Sequence, residues 1–253
     1  MEGWPMATVR SPADDQEGAR VDSRLVVGCP VRRRDWVLDK WREHVIWACY
    51  KAGMPHPTFV FVQGEDEDPI DWDDAVVVSV PEIAREDVRT WDTERFVHMV
   101  NLRNTLLKKV RELRPDFFWS LDSDILANGD SLWGMLETFS SRPQAWAVGS
   151  KLYMTTVGVN FPSYGTWTSR DHRIGFKREE RSDVFKVGVL MASVLMAPKA
   201  YKTDYQFHHW GEDAGWSDRV AALGGELWWD GRYPSKHVMS PDLLGAVDKR
   251  VGY

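Results

Sequence analysis

Over its first 150 residues the chain alternates short apolar runs with longer stretches in which apolar residues recur at helical spacing. Runs such as 25–29 and 117–121 have almost no polar alternation, which is typical of parallel strands buried on both faces of a sheet. Strands that alternate with helices favour an α/β fold with a mostly parallel central sheet and right-handed crossovers. The predicted strands are 25–29, 58–63, 75–80, 117–121 and 145–150, and the predicted helices are 36–52, 92–113 and 131–139.

The pattern becomes less regular beyond residue 150. Residues 1–22 are polar and lack periodicity, which predicts a disordered N-terminal tail. A length of 253 residues suits one well-packed domain, so 23–253 is predicted to form a single domain. The later elements are predicted as a loop over 155–181, an apolar segment over 187–196, a helix over 212–223 and a short strand over 226–229.

Composition narrows the class of protein. A formal net charge of −6 argues against a general nucleic-acid binder. The two cysteines, Cys29 and Cys49, lie in apolar segments, so we expect buried thiols without a disulfide and a reducing compartment. No stretch is apolar and long enough to span a membrane, which favours a cytoplasmic protein. Most of the 14 tryptophans are expected to pack in the core.

The apolar run 117–121 ends at two carboxylates, Asp122 and Asp124, separated by one residue. Side chains alternate along an extended strand, so the two carboxylates are expected to point the same way. Their repulsion favours a bound cation, and oxygen ligands suit Mg²⁺ or Mn²⁺. Such a cation can stabilise a diphosphate as a leaving group, at the strand end where α/β sheets bind ligands. The same spacing at Asp71 and Asp73 lies in an acidic loop and is interpreted as surface.

Five segments, spread over residues 24–237, carry a further pattern. They are Val26-Val27-Gly28-Cys29-Pro30-Val31-Arg32, Asn101-Leu102-Arg103-Asn104, Leu121-Asp122-Ser123-Asp124, Trp210-Gly211-Glu212-Asp213-Ala214-Gly215-Trp216-Ser217 and His237. Together they resemble the GT-A glycosyltransferases, a DxD-containing family that uses nucleotide-sugar donors. The resemblance implies a Rossmann-like three-layer sandwich and a divalent cation, Mn²⁺ or Mg²⁺, that holds a UDP- or GDP-linked sugar.

The same resemblance implies roles for particular residues at the donor site. Arg32 belongs to the basic run Arg32-Arg33-Arg34, and guanidinium groups bind diphosphates in a forked manner. Arg103 either reaches the donor or pairs with a neighbouring acid such as Asp92 or Glu94. The implied metal ligands are Asp122, Asp124 and His237, and the implied donor-binding residues are Pro30, Val31, Arg32, Arg103, Asn104, Asp122, Ser123 and Lys236.

Glu212 and Asp213 are the candidate catalytic residues. In an inverting transferase, one carboxylate removes the proton of the acceptor hydroxyl as that hydroxyl attacks the anomeric carbon. In a retaining transferase, the acid orients the sugar instead. Acidic residues are also favoured in the first turn of a helix by the helix dipole, which is the structural interpretation of the same pair. Asp213 is the preferred base or sugar ligand, and Glu212 is the second choice.

The sequence therefore predicts a metal-dependent glycosyltransferase that transfers a sugar from a nucleoside-diphosphate sugar to an acceptor hydroxyl. Two alternatives stay open: a nucleotidyltransferase-like enzyme, and a non-catalytic nucleotide- or carbohydrate-binding module of the same fold. The acceptor is open among a protein, a modified DNA base, a glycan and a small molecule. A DNA acceptor would contact the basic loop 170–181. The compact size and tryptophan content resemble transferases encoded by bacteriophages, which act in the host cytoplasm.

Overall fold

The computed structural model describes residues 24–32, 35–68, 70–81, 93–156, 159–163, 166–167, 182–238 and 240–248. The predicted tail over 1–22, Arg33, Arg34 and the basic loop 170–181 lie outside these residues. The helices are α1 Asp35–Lys51, α2 Thr93–Leu113, α3 Ser131–Ser141, α4 Pro198–Tyr201, α5 Glu212–Ala222 and α6 Pro241–Asp248. The strands are β1 Leu25–Pro30, β2 Thr58–Gly64, β3 Ala75–Val80, β4 Phe117–Leu121, β5 Ile125–Leu126, β6 Ala145–Thr156, β7 Val159–Ser163, β8 Thr166–Trp167, β9 Val184–Val187, β10 Val189–Leu190, β11 Ser193–Met196 and β12 Glu226–Val238.

The predicted, mostly parallel central sheet is confirmed. Its strand order is β3-β2-β1-β4-β11-β6-β12-β5, with β7 paired to β6 and β9 paired to β12. β1 is parallel to both β2 and β4, and β2 is parallel to β3. β11 runs antiparallel between β4 and β6, so β6 points the same way as β4 and is parallel to β12. The carboxyl ends of β1, β2, β4 and β6 therefore lie toward one edge of the sheet, where ligands bind in such folds.

Helices cover both faces of the sheet and produce the predicted three layers. α1, α3 and α6 pack on one face, and α2, α4 and α5 pack on the other. Neighbouring side chains of β4 enter different cores: Trp119 packs in the cluster that contains Trp41, and Phe118 packs in the cluster that contains Leu106. Both rings are fully buried. Burial on both faces explains why the run 117–121 is apolar at successive positions.

The last strand is longer than the sequence pattern predicts. The pattern indicates a strand only over 226–229, whereas β12 has 13 residues. Its register shifts between Asp230 and Ser235, and this bulge accommodates Pro234, which has no N–H for the ladder. Arg232 holds the bulge, because its Nη2 lies 2.8 Å from Oδ2 of the buried Asp230. Pro234 and the Asp230–Arg232 pair interrupt the apolar pattern, so the sequence does not predict β12 as one continuous strand.

The predicted loop over 155–181 is wrong in its first part. β6 continues to Thr156 and forms an antiparallel hairpin with β7. β8 also lies within the predicted loop and pairs with β10. The apolar segment predicted over 187–196 is divided into β10 and β11 by a turn at Ala192, whose φ is 60°. β7 and β8 have only five and two residues, and they lack the apolar run on which the strand predictions rest.

Cys29 and Cys49 are both buried and form no disulfide, as the sequence predicts. Burial raises the pKa of the Cys49 thiol to about 12. None of the helices in the described ranges has the length and apolar character that a membrane crossing requires.

Candidate active site

The two carboxylates of the DxD segment lie in a turn rather than in a strand. Leu121 is the last residue of β4, and the N–H of Ile125 donates to the carbonyl of Asp122 at 3.0 Å. Strand alternation, which predicts that Asp122 and Asp124 point the same way, does not describe this turn. The two carboxylates instead meet different partners, one on α2 and the other on β12.

Contacts from three elements hold the turn in place. The N–H of Asp122 donates to the carbonyl of Ala192 at 2.9 Å, next to β11. The indole Nε1 of Trp41, on α1, donates to the carbonyl of Asp122 at 3.0 Å. The N–H of Val238, at the end of β12, donates to the carbonyl of Asp124 at 2.8 Å. These bonds satisfy the N–H and carbonyl of Asp122 and the carbonyl of Asp124 through the backbone and an indole, without using either carboxylate.

Asp124 and His237 lie side by side. The Nε2 of His237 is 3.2 Å from Oδ1 of Asp124, and Asp124 is only 7% exposed. His237 is part of β12, opposite Ile125 of β5, whereas the sequence placed it after a final strand. The pair offers one oxygen and one nitrogen donor. Within the described ranges, no group of three or more His, Cys, Asp or Glu side chains is arranged to hold a metal ion.

Arg103 joins the DxD turn to the acidic start of α5. Its side chain is nearly buried, with 3% of the residue exposed. Nη2 lies 2.7 Å from Oδ1 of Asp122, and Nη1 donates to Oγ of Ser120 at 3.3 Å. Nε lies 3.8 Å from Oε1 of Glu212. Among the described residues, Arg103 therefore pairs with acids outside its own helix, and Asp92, one of the partners that the sequence suggests, lies outside those residues.

The acid pair occupies the first turn of α5. Gly211 precedes it with φ 109° and ψ 164°, a backbone conformation that only glycine adopts without strain. Gly215, one turn later, lets α5 pack closely against the segment that contains Gln206, because a Cβ at position 215 would lie 2.1 Å from the carbonyl oxygen of Gln206. Two glycines thus place Glu212 and Asp213 next to Arg103.

Burial shifts the ionisation of this cluster. It raises the pKa of Asp213 well above its usual range; Glu212 adds to the rise and Arg103 opposes it. Burial also raises the pKa of Glu212, against the opposing charge of Arg103. For Arg103, burial favours a lower pKa, but Asp122 and Asp213 outweigh it and the pKa is raised. The Asp213 carboxylate is therefore a stronger base than a solvated aspartate, which suits a general base.

The predicted nucleotide cradle lies at the carboxyl end of β1. Pro30 ends the strand, and the N–H of Val31 donates to the carbonyl of Val62 at 2.9 Å. Arg32 follows this anchored turn. Burial, with the charge of Arg32 as a second cause, lowers the pKa of His98 on that helix. The residues that the sequence predicts to contact the nucleotide therefore lie beside β2 and close to α2.

Other predicted donor-binding residues have different surroundings. The Nδ2 of Asn104 donates to the carbonyl of Tyr205 at 3.0 Å, and its Oδ1 accepts from the N–H of Tyr205 at 2.8 Å. This amide therefore ties α2 to the segment before α5. Ser123 is 5% exposed within the turn, and Lys236 lies on β12 opposite Leu126.

Sequence reasoning missed two residues of the site. Ala192 has a left-handed φ of 60°. It is the central residue of a tight turn in which the N–H of Ser193 donates to the carbonyl of Met191 at 2.7 Å. Its own carbonyl holds the N–H of Asp122. Tyr205 is 4% exposed, and burial raises the pKa of its hydroxyl. No local sequence pattern marks either residue.

Comparison with known proteins detects relatives by structure alone. Neither the protein-family models nor the curated protein sequences give a match. S. aureus TarS in complex with UDP-GlcNAc superimposes with a TM-score of 0.55 at 11% identity, over 86% of this chain and 59% of that chain. GalNAc-T7 with UDP, GalNAc and Mn²⁺ has a TM-score of 0.54 at 10% identity, over 87% and 46%. A197 from STIV has a TM-score of 0.52 at 12% identity, over 86% and 87%.

These similarities show the fold, because their sequence identities are too low to carry more. The chain has the GT-A glycosyltransferase fold, a mixed α/β sandwich with a mostly parallel central sheet. It spans 59% of the TarS chain and 46% of the GalNAc-T7 chain.

Proposed function

We propose that this protein is a metal-dependent glycosyltransferase that transfers a sugar from a nucleoside-diphosphate sugar to an acceptor hydroxyl. One observation carries the proposal: in the DxD turn, the Asp124 carboxylate lies 3.2 Å from the imidazole of His237 on β12, and the Asp122 carboxylate contacts Arg103, whose Nε is 3.8 Å from Glu212 of α5. The GT-A fold supports the same conclusion at the level of architecture.

The Asp124–His237 pair fits a divalent cation. One carboxylate oxygen and one imidazole nitrogen suit Mn²⁺, and Mg²⁺ sites often use one or two carboxylates together with substrate phosphates. The described part of the chain supplies no larger ligand cluster, so the donor diphosphate and water are proposed to provide most of the remaining ligands. A bound cation would neutralise charge on the departing diphosphate. Asp122 is the proposed third protein ligand, directly or through water, once its carboxylate leaves Arg103.

The donor is proposed to lie between the cradle at β1 and the DxD turn. Pro30, Val31 and Arg32 would contact the nucleotide, and Lys236 would meet the diphosphate. UDP-linked sugars are the first donors to test, because the TarS structure contains UDP-GlcNAc and the GalNAc-T7 structure contains UDP and GalNAc.

Asp213 is the proposed general base. In an inverting reaction its carboxylate accepts the proton of the acceptor hydroxyl, and the raised pKa makes it a stronger base than a solvated aspartate. In a retaining reaction the same residue would orient the sugar, and Glu212 is the second candidate for either role. Trp210, which is 44% exposed and precedes Gly211, offers an indole face to an acceptor ring. The proposed enzyme acts in the cytoplasm, where buried thiols stay reduced.

The test is release of UDP from UDP-GlcNAc and UDP-GalNAc, measured with Mn²⁺ and with EDTA. Asp124→Asn keeps the shape of the side chain and is expected to lower the Mn²⁺-dependent rate by about 100-fold. The matched control is the double variant Asp71→Asn, Asp73→Asn, which removes an exposed pair of the same spacing and is expected to keep the full rate. Undiminished Mn²⁺-dependent turnover in Asp124→Asn would reject the proposal.

The same assay separates the two alternatives. A protein that binds UDP-sugars in calorimetry and never releases UDP is a binding module. A protein that consumes a nucleoside triphosphate and a sugar phosphate with release of pyrophosphate is a nucleotidyltransferase.

A further inference from the structure

Arg103 is placed between two acidic groups that serve different steps of the proposed reaction. Its strong contact is with Asp122 on the donor side, at 2.7 Å, with Ser120 as a further acceptor. Its weak contact is with Glu212 on the acceptor side, at 3.8 Å. Within the described residues, the Nε of Arg103 is buried and makes no hydrogen bond. One donor of the guanidinium therefore points toward Glu212 at a distance too long for a hydrogen bond.

The carboxyl groups of this cluster outnumber its guanidinium groups. One guanidinium faces three carboxyl groups, those of Asp122, Glu212 and Asp213, and Arg95 is a second cation near Glu212. A buried guanidinium that loses one carboxylate partner interacts more strongly with a second carboxylate nearby, because an uncompensated charge inside a protein is costly. The contact lengths show that Arg103 is held more tightly by Asp122 than by Glu212.

We infer that Arg103 is a positioning residue that couples donor binding at Asp122 to the placement of Glu212 at the start of α5. When the Asp122 carboxylate turns to the donor, the guanidinium closes its Nε onto Glu212 and orders the first turn of α5. The acid pair is thereby organised for the acceptor only after the donor is in place. This inference rests on the proposed function and goes beyond it by naming the residue that links the two halves of the site.

The first experiment needs no ligand. Denaturant unfolding of the wild type, Asp122→Asn, Glu212→Gln and the double variant forms a double-mutant cycle. If Arg103 bridges the two acids, the double variant is destabilised beyond the sum of the single effects, by at least about threefold in the unfolding equilibrium constant. The reason is that the second substitution removes the compensating charge from a buried guanidinium. Additive effects would overturn the inference.

The second experiment measures UDP affinity by calorimetry in the presence of Mn²⁺. Direct Coulomb interaction predicts that Glu212→Gln tightens UDP binding, because it removes a negative charge near an anion. Coupling through Arg103 predicts the opposite sign: without Glu212, the guanidinium stays on Asp122 and UDP binding weakens by about threefold or more. Tighter or unchanged binding in Glu212→Gln would contradict the inference.

A matched ion pair on the same helix provides the control. The Nη2 of Arg111 lies 2.6 Å from Oδ1 of Asp204, and the Nε of Arg111 donates to the carbonyl of Tyr201. Asp204→Asn is expected to leave UDP affinity unchanged, so an equal loss in this variant would mean that any loosening of α2 weakens the donor site. If no variant binds UDP, the proposed function fails, while the unfolding cycle still decides whether Arg103 couples the two acids.

Discussion

Substitution of Gly211 by alanine tests whether the backbone before α5 places the acid pair. Gly211 has φ 109° and ψ 164°, in a region that is essentially restricted to glycine. A Cβ at this position would lie 3.5 Å from the ring of Phe96, which is an ordinary contact, so the cost of the substitution is in the backbone and not in packing.

The expected magnitude follows from that conformation. Holding alanine in such a region costs about 1–3 kcal/mol, and for a chain of this size each kcal/mol lowers the melting temperature by about 2–4 °C. The chain relieves this strain by moving the start of α5, and Glu212 and Asp213 are the next two residues. A displacement of about 1 Å at a catalytic group can lower the rate by about 100-fold.

The assay compares Gly211→Ala with Gly224→Ala. Gly224 follows the other end of α5 and has φ 86°, and among the described residues a Cβ added to it would meet nothing within 4 Å. Alanine there is expected to cost about 1–2 kcal/mol with UDP release unchanged per folded molecule. Gly211→Ala is expected to lose both stability and turnover, measured by thermal unfolding and by UDP release. Full turnover in a destabilised Gly211→Ala protein would refute the link between this backbone and the acid pair.

Three further predictions concern the same region and the core. Asp213→Asn is expected to abolish transfer. In the wild type, kcat/KM should rise with pH through a pKa above the usual value of 3.8, because the active base is the deprotonated carboxylate; a flat profile between pH 4 and pH 8 would contradict this role. Gly215→Ala is expected to prevent α5 from docking, since its Cβ would lie 2.1 Å from the carbonyl oxygen of Gln206, and soluble, fully active protein would disprove it. Cys49 is expected to resist a thiol reagent at pH 8 until the protein unfolds, because it is buried and its pKa is about 12; rapid native labelling would argue against that burial.

Much of the fold can be predicted from local patterns, and the exceptions have identifiable causes. The run 117–121 predicts β4 because a strand buried on both faces needs apolar residues at every position. β12 is underestimated because Pro234 and the Asp230–Arg232 pair interrupt its apolar character at the bulge. β7 and β8 are missed because strands in a polar hairpin carry no such run.

The candidate site shows a similar division. The order of the motifs along the chain suggests that Asp124 and His237 are ligands of the same metal ion. In the structure, Nε2 of His237 lies 3.2 Å from Oδ1 of Asp124. No local pattern predicts the hydrogen-bond partners of Asn104, because its side-chain amide bonds to the backbone of Tyr205, which is far away in the sequence. Strand alternation fails for the DxD turn, because β4 ends one residue before it.

Local sequence patterns were enough to predict the order of strands and helices from β1 to β6, apart from the two-residue β5, and the two carboxylates after β4, since these features depend on the burial of neighbouring residues. The sharing of Arg103 between Asp122 and Glu212 is visible only in the folded chain. That sharing depends on how closely α5 packs against α2, and the packing is set by contacts between segments far apart in the chain. Long-range electrostatics of this kind leave no periodic trace in the sequence.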